Sequence, residues 1–257
     1  MKTYSNGNDH AVLLNCFESK LYTSRTHSTI EYTDPNFIIK YICWIFILKM
    51  SSTSQATKNA ITLKGSSAII SEYLNYGINS ILFQRGIYPA ESFENHQQYG
   101  LTILMSTDAK IKEFLKNVLS QTEEWMSKNE LEKVSLIITN AHSKEVLECW
   151  EFQVQAEPQD GENMDPNKPT SNKDLKRIQQ EIGSVIRQIS ATVTYLPLLD
   201  CICAFDVLIH TVKECQLPEK WNETGDVTIQ NSQTVKLRSF STGIHHVDTI
   251  VNYKLSS

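Results

Sequence analysis

The sequence lacks the short motifs that are typical of the common enzyme classes. Its 257 residues contain no Gly-rich phosphate-binding loop, no dinucleotide-binding glycine fingerprint, no HExxH metal motif and no GxSxG nucleophile elbow. The carboxyl groups of Asp200, Asp206 and Glu214 lie around an apolar run, but their spacing identifies no acid–base pair. We therefore predict that the protein is not an enzyme, and we assign no catalytic residues and no cofactor.

Cysteine is scarce and scattered, with six residues in the chain. This number and spacing exclude a disulfide framework and indicate a reducing compartment. Cys201 and Cys203 form a close pair that would share one face of a strand. Two further zinc ligands are not nearby in sequence, so the pair is interpreted as small buried residues. The adjacent His245 and His246 would point to opposite faces of a strand, and no metal site is predicted.

A strong excess of charge and a long apolar run are both missing. The chain has 24 Lys and Arg against 29 Asp and Glu, a net charge of −5, which argues against a nucleic-acid binder with a global positive field. The apolar run Phe37–Leu48 is short for a membrane span and is interrupted by Lys40. We therefore predict neither nucleic-acid nor membrane partners.

Residues 1–49 differ in composition from the rest of the chain. They begin polar and irregular, end in the run Phe37–Leu48, and are followed by Met50-Ser-Ser-Thr-Ser-Gln, which reads like a natural start. We interpret residues 1–49 as an atypical N-terminal extension, from a gene-model error or an alternative start, and residues 50–257 as the folded domain. A membrane-associating segment and a core-packing element are the alternatives.

The clearest element that is present is an amphipathic helix over Leu175–Val193. Its apolar positions repeat with the helical period: Leu175, Ile178, Ile182, Val185, Ile186, Ile189 and Val193. The opposite face is polar and mostly basic: Lys176, Arg177, Gln180, Glu181, Ser184, Arg187 and Gln188. A helix of this kind needs a sheet or other helices to cover its dry face.

Similar patterns predict the remaining elements. Two further helices are expected over Gly65–Arg85 and from about residue 108 to Lys128. Strands are expected at Tyr99–Met105, Lys133–Thr139, Val146–Val154 and Cys201–Val212, followed by a β-rich tail over Val227–Leu255. Strands with one apolar and one polar face indicate an α+β fold, with helices on one side of an antiparallel sheet.

Two functional interpretations follow from these patterns. In the first, an edge strand accepts a peptide as an added strand, and the long β tail with its aromatic Trp221 favours this. In the second, the protein is a structural subunit that buries the polar face of the central helix against a partner.

Seven stretches of the chain resemble one known family: Ile61–Ser66, Gly77–Leu82, Gln84–Pro89, Val185–Ile189, Ala191–Leu199, Pro218–Trp221 and Leu237–Phe240. In order and without large gaps, they are similar to the HORMA-domain adaptors of the spindle assembly checkpoint. The resemblance begins near residue 59. It implies the HORMA fold, with three helices on an antiparallel sheet and a mobile C-terminal "safety belt", here about residues 218–257. In the family, the belt has open and closed arrangements, and in the closed one it crosses over a partner peptide added beside the edge strand.

The resemblance also implies partners and sites. The partners would be a coiled-coil kinetochore receptor, the activator of the anaphase-promoting complex, and a second copy in an open–closed dimer, in the nucleus, at kinetochores and in the cytoplasm. The implied peptide-binding residues are Phe205, Val207, Leu208, Ile209, Trp221, Val247 and Tyr253. The implied dimerisation residues are Arg85, Arg187, Gln188 and Tyr195. Another HORMA adaptor, such as a translesion-polymerase subunit or a meiotic axis protein, is the alternative.

Overall fold

The computed structural model describes residues 10–14, 60–158, 169–212, 217–218, 221–225 and 227–255. All of these belong to one compact unit. The apolar run Phe37–Leu48 and residues 159–168 lie outside the described residues.

Three α-helices form in the described part of the chain, as the sequence predicts: α1 (Leu63–Gln84), α2 (Ala109–Ser127) and α3 (Leu175–Ala191). Each begins after a residue whose side chain accepts a hydrogen bond from a first-turn N–H group, namely Thr62, Asp108 and Asp174. These caps satisfy backbone donors that the helix itself cannot, and they explain where each helix starts. None of the described helices is long and apolar enough to cross a membrane.

The apolar stripe of α3 is buried through its middle but not at its ends. Five of the seven predicted residues are fully or almost fully buried: Ile178, Ile182, Val185, Ile186 and Ile189. Leu175 is 49% exposed and Val193 is 48% exposed. The prediction that they are buried was wrong because Leu175 opens the first turn and Val193 lies in a 3₁₀ turn that follows α3.

Within the described residues, the main sheet has eight strands, and all of their pairings are antiparallel. The strands are β1 (His10–Leu14), β5 (Leu131–Asn140), β6 (Val146–Ala156), β8 (Cys203–Thr211), β9 (Trp221–Thr224), β10 (Ser232–Lys236), β11 (Phe240–Ser241) and β12 (His245–Lys254). The path through the sheet is β10-β12-β6-β5-β8-β1-β9, with β11 paired to β12. The main sheet therefore includes His10–Leu14, a segment that the boundary predicted at residue 50 leaves out.

Two short antiparallel pairs complete the described fold: β2 (Ile61–Thr62) with β7 (Thr170–Ser171), and the hairpin of β3 (Phe93–Gln98) with β4 (Leu101–Ser106). The sequence predicts a strand from Tyr99, but Tyr99 and Gly100 form the turn, with φ of 54° and 69°. Two central residues with positive φ are typical of the tight turns that join antiparallel strands. Strand β3 escapes a pattern search because most of its side chains are polar and exposed.

The helices cover one face of the main sheet and form a single large core with it. Its largest buried side chains come from helices and sheet alike: Trp125, Trp150, Tyr73, Phe152 and Phe240. The tail strands are part of this core, since Val247 and Val251 of β12 are fully buried. Strand β12 pairs with β6 over nine residue pairs, so the C-terminal segment forms one side of the sheet rather than a loose appendage.

Candidate peptide-binding site

The candidate site is the slot that β1 occupies between β8 and β9. Strand β1 runs antiparallel to both neighbours, and Val12 pairs with Ile209 on one side and with Glu223 on the other. Leu13 pairs likewise with Leu208 and Asn222. A strand that is paired on both sides directs its backbone N–H and C=O groups to partners in the protein rather than to water. The slot therefore holds a backbone in extended conformation.

The inner wall of the slot is β8, which the core holds in place. Val207 and Ile209 are fully buried among the helices, whereas Leu208 belongs to a second cluster on the opposite face, with Ile137 and Cys149. Strand β1 pairs with the last four residues of β8, Leu208–Thr211. The backbone of this part of β8 thus contacts the added strand, while its side chains fix the wall on both faces.

Phe205 lies further along β8 and packs against two aromatic rings. Its ring meets those of Tyr88 and Phe114 edge to face, with centroid distances of 6.1 Å and 5.8 Å. The predicted residues Phe205, Val207, Leu208 and Ile209 therefore lie on the strand that carries the slot, with Phe205 and Val207 outside the stretch that pairs with β1.

The outer wall is β9, which Trp221 anchors to a helix. The indole of Trp221 is buried and meets that of Trp125 on α2 edge to face, with ring centroids 5.2 Å apart. The sequence patterns single out Trp221 but not Trp125. Their contact fixes the start of β9 to the helical layer, so it holds the outer wall against β1.

Beyond β9 the belt crosses the outer face of the sheet. Val227 and Ile229 pack against the cluster of Ile137, Cys149 and Leu208, on the face opposite the helices. The chain then forms β10 and pairs with β12 at the far edge of the sheet. With the C-terminal strands at one edge and an added strand beside β8 towards the other, this is the closed arrangement that the resemblance implies.

A buried polar cluster holds the far end of the belt. The hydroxyl of Ser66 on α1 lies 2.7 Å from the Thr242 hydroxyl and 2.8 Å from Nδ1 of His245. Burial lowers the pKa of His245 below its ordinary value of 6.5, although nearby Glu157 opposes this. Gly243, at φ +80°, lies so close to Ser171 that an added Cβ would clash with the hydroxyl oxygen of Ser171. This turn therefore requires glycine.

Two predicted peptide-binding residues lie elsewhere. Val247 and Tyr253 are on β12, which is separated from β1 by β6, β5 and β8. Val247 is fully buried in the core, and the Tyr253 hydroxyl donates a hydrogen bond to Gln233 of β10. The structure does not bring these two residues to the slot, because β12 pairs with β6 and β10 at the far edge of the sheet.

The predicted dimerisation residues divide into two groups. Arg187 and Tyr195 are exposed, at the C-terminal end of α3 and just beyond it. Gln188 accepts a hydrogen bond of 2.7 Å from the backbone N–H of Arg238 and so ties α3 to the belt. Arg187 and Tyr195 are available to a second copy in this conformation, whereas Gln188 already has a role within the chain.

Arg85 is buried, which corrects its assignment to a dimer surface. Its guanidinium forms an ion pair with Glu148 at 2.6 Å, and the side chains are 3% and 2% exposed. It also donates to the carbonyl oxygen of Pro197, and the second carboxylate oxygen of Glu148 accepts from the indole N–H of Trp150. Arg85 therefore connects α1, β6 and the segment after α3, and it has almost no surface to offer to another molecule.

No group of three or more potential metal ligands occurs among the residues that the structure describes. The sulfur atoms of Cys201 and Cys203 lie 3.8 Å apart, and both residues are half-buried. Burial, together with the neighbouring Cys201, raises the pKa of the Cys203 thiol to about 12. A thiol with so high a pKa is a poor nucleophile and a poor metal ligand at neutral pH.

Comparison with known proteins identifies the family of the chain. The family model described as HORMA domain matches residues 66–245. The chain is 48% identical to human MAD2A, a mitotic spindle assembly checkpoint protein, over 77% of this chain and 95% of that protein. A chain in the crystal structure of the mitotic checkpoint complex superposes with a TM-score of 0.67 at 40% identity, covering 74% of this chain and 99% of that one.

A different HORMA adaptor is less well supported. A MAD2B protein from Danio rerio matches at 29% identity, over 56% of this chain and 64% of its own length. The expected fold, with three helices on an antiparallel sheet, is confirmed. The chain belongs to the HORMA-domain family, on the branch of the MAD2 spindle assembly checkpoint proteins.

Proposed function

We propose that the protein is a spindle checkpoint adaptor that captures partner peptides by strand addition in the slot between β8 and β9. The observation that carries this proposal is the double pairing of a five-residue strand, inner wall on one side and belt on the other. Backbone pairing gives affinity with little demand on sequence. Enclosure by a belt that is anchored at Trp221 and again at the Ser66 cluster slows escape, so the dissociation rate governs affinity.

The proposed partners are the coiled-coil kinetochore receptor and the activator of the anaphase-promoting complex. Sequestering the activator would delay anaphase until chromosomes attach. Self-association of an open and a closed copy would use the exposed end of α3, around Arg187 and Tyr195. The open form requires the belt to leave the far edge of the sheet, and two packings of one sequence that differ by a few kcal/mol can serve as a switch.

The test combines binding with hydrogen exchange. Peptides tiled across the activator and the receptor are titrated against the full chain, with scrambled peptides as controls. We expect a few peptides to bind and to change amide protection in β8 and β9, while the scrambled peptides do neither. A ubiquitination assay with the purified activator then measures inhibition. If no tiled peptide binds, the proposed partners are refuted. If peptides bind but leave β8 and β9 unchanged, strand capture in this slot is refuted.

A further inference from the structure

The structure shows which segment fills the slot: the protein's own residues His10–Leu14. Every residue from Ala11 to Leu13 is paired on both sides, with β8 and with β9. We propose that this N-terminal segment is an intramolecular ligand that occupies the peptide slot and competes with partner peptides. The inference rests on the proposed function and adds a built-in competitor to it.

The pairing itself argues for a ligand rather than a fixed element of the domain. Strand β1 lies between β8 and β9, which are consecutive strands of one compact unit. A segment far away in sequence is thus inserted between β8 and β9, which follow each other in the chain. The family match begins at residue 66, so the domain is recognised without His10–Leu14. The slot belongs to the family domain, and its occupant comes from outside it.

Residues 15–59 tether His10–Leu14 to the domain, and this tether makes the segment hard to displace from the slot. A tethered ligand acts at an effective concentration on the order of millimolar. A partner peptide at micromolar concentration therefore competes at a disadvantage of about a thousandfold, unless its intrinsic affinity is higher by the same factor. The full chain would respond only to partners that bind tightly or are presented at high local concentration.

This inference changes what truncation should do. The composition of residues 1–49 sets them apart from the domain, and this alone predicts that their removal leaves peptide binding unaltered. An intramolecular ligand predicts instead that loss of the segment increases binding of added peptides. The two predictions differ in sign, and a variant of the full chain can separate them.

The variant carries Val12→Pro and Leu13→Pro together. Proline has no backbone N–H, and successive N–H groups of a strand point to opposite neighbours, so the pair removes one donor towards β8 and one towards β9. The matched control is Ser5→Pro with Asn6→Pro, which places the same two substitutions in the N-terminal segment before β1. The probe is a fluorescent synthetic peptide of residues 6–19.

We expect the wild-type chain and the control to bind the probe weakly, and the Val12→Pro/Leu13→Pro variant to bind it at least about tenfold more tightly. Hydrogen exchange should show protected amides over Ala11–Leu14 and Trp221–Thr224 in the wild type. In the variant, the remaining amides of Ala11 and Leu14 and those of Trp221–Thr224 should be less protected. Equal probe binding by all three proteins, or unprotected amides over Ala11–Leu14 in the wild type, would overturn the proposal.

Dilution distinguishes capture within one chain from exchange between two. If the segment is captured within its own chain, the protection of Ala11–Leu14 stays unchanged over roughly a hundredfold range of protein concentration. In that case no oligomers form by exchange of the segment between chains. Protection that disappears on dilution would refute the intramolecular form.

The tiled partner peptides keep the two proposals separate. If they bind the wild type and the variant equally, the intramolecular ligand is refuted and peptide capture stands. If they bind neither protein while Ala11–Leu14 is protected and the probe binds the variant, the checkpoint partners are wrong and the intramolecular ligand stands.

Discussion

The indole rings of Trp125 and Trp221 meet edge to face, 5.2 Å apart, although one belongs to α2 and the other to the belt. The contact is long-range, and it joins a helix of the core to the outer wall of the slot. Because both rings are buried, it is expected to contribute more than an exposed aromatic contact would.

Replacing Trp221 with alanine should loosen the outer wall. Truncating a buried tryptophan removes about 3–5 kcal/mol of packing, and a loss of about 3 kcal/mol corresponds to roughly a hundredfold in a rate or affinity. We expect the dissociation rate of a captured peptide to rise by about that factor. Stopped-flow chase with unlabelled peptide measures it. Trp221→Phe, which keeps an aromatic ring, should lose much less; equal losses would contradict the ring contact as the anchor.

Reversing the charge of Arg187 should abolish self-association and spare peptide capture. Arg187 is exposed and makes only a long hydrogen bond, 3.4 Å, to Ser184 within its own helix. A charge reversal at a partner-facing position leaves a repelled or unpaired charge in the interface. Light scattering of Arg187→Glu, compared with Arg177→Glu on the same helix, tests this. If Arg187→Glu leaves the oligomer unchanged, the end of α3 is not part of the dimer interface.

Alanine in place of Gly243 should destabilise the closed arrangement. The residue has φ of +80°, and an added Cβ would meet the Ser171 side chain. A left-handed backbone costs a non-glycine residue roughly 1–2 kcal/mol, and overpacking adds about 1–3 kcal/mol. Chemical denaturation should show a loss of about 2–5 kcal/mol. Gly225→Ala is the control because a Cβ added there would meet no atom within 4 Å; a similar loss there would contradict the local explanation.

Acidification should weaken the belt anchor through His245. Burial lowers the pKa of His245 in the folded protein, whereas the unfolded chain keeps a value near 6.5. The unfolded state therefore binds the proton more readily, so this contribution to stability is complete above about pH 6.5 and is lost as the pH falls below it. Thermal unfolding of wild type and His245→Asn across this range measures the slope. His142→Asn, at an exposed turn, should keep the wild-type slope.

Replacing one partner of the buried Arg85–Glu148 ion pair should destabilise the protein more than replacing both. Arg85→Leu leaves the Glu148 carboxylate buried without its main cation, and removal of one partner of a buried pair costs about 3–5 kcal/mol. Adding Glu148→Gln takes away the stranded charge and should recover part of this loss. Denaturant unfolding of the single and double variants provides the comparison. If the double variant is as unstable as the sum of the single ones, the pair has no coupling.

Local patterns were sufficient for the helices. The caps Asp108 and Asp174 and the apolar stripes act within a few residues, so helix ends were predicted to within about two residues. The hairpin of β5 and β6 and the strand β8 were recognisable for the same reason, since their alternation is local.

Pairings between distant segments could not be predicted in this way. Strand β1 is five residues long and lies in a stretch without an extended pattern, so nothing local indicates that β8 and β9 accept it. Val247 and Tyr253 carry the right alternation, but alternation does not say which edge of a sheet a strand joins. Arg85 directly follows α1, and nothing in the local sequence indicates that it is buried. Its burial depends on the ion pair with Glu148, 63 positions away.

Sandwiching β1 between antiparallel neighbours also determines how it responds to force. Backbone hydrogen bonds in an antiparallel pair run perpendicular to the strands. A pull on the N-terminus along the axis of β1 therefore loads the bonds to β8 and to β9 together, in shear, and they must fail at nearly the same moment. A pull that first lifts β9 away breaks the hydrogen bonds between β1 and β9 one after another. Mechanical release of the segment should thus begin at the belt and not at the strand that it encloses.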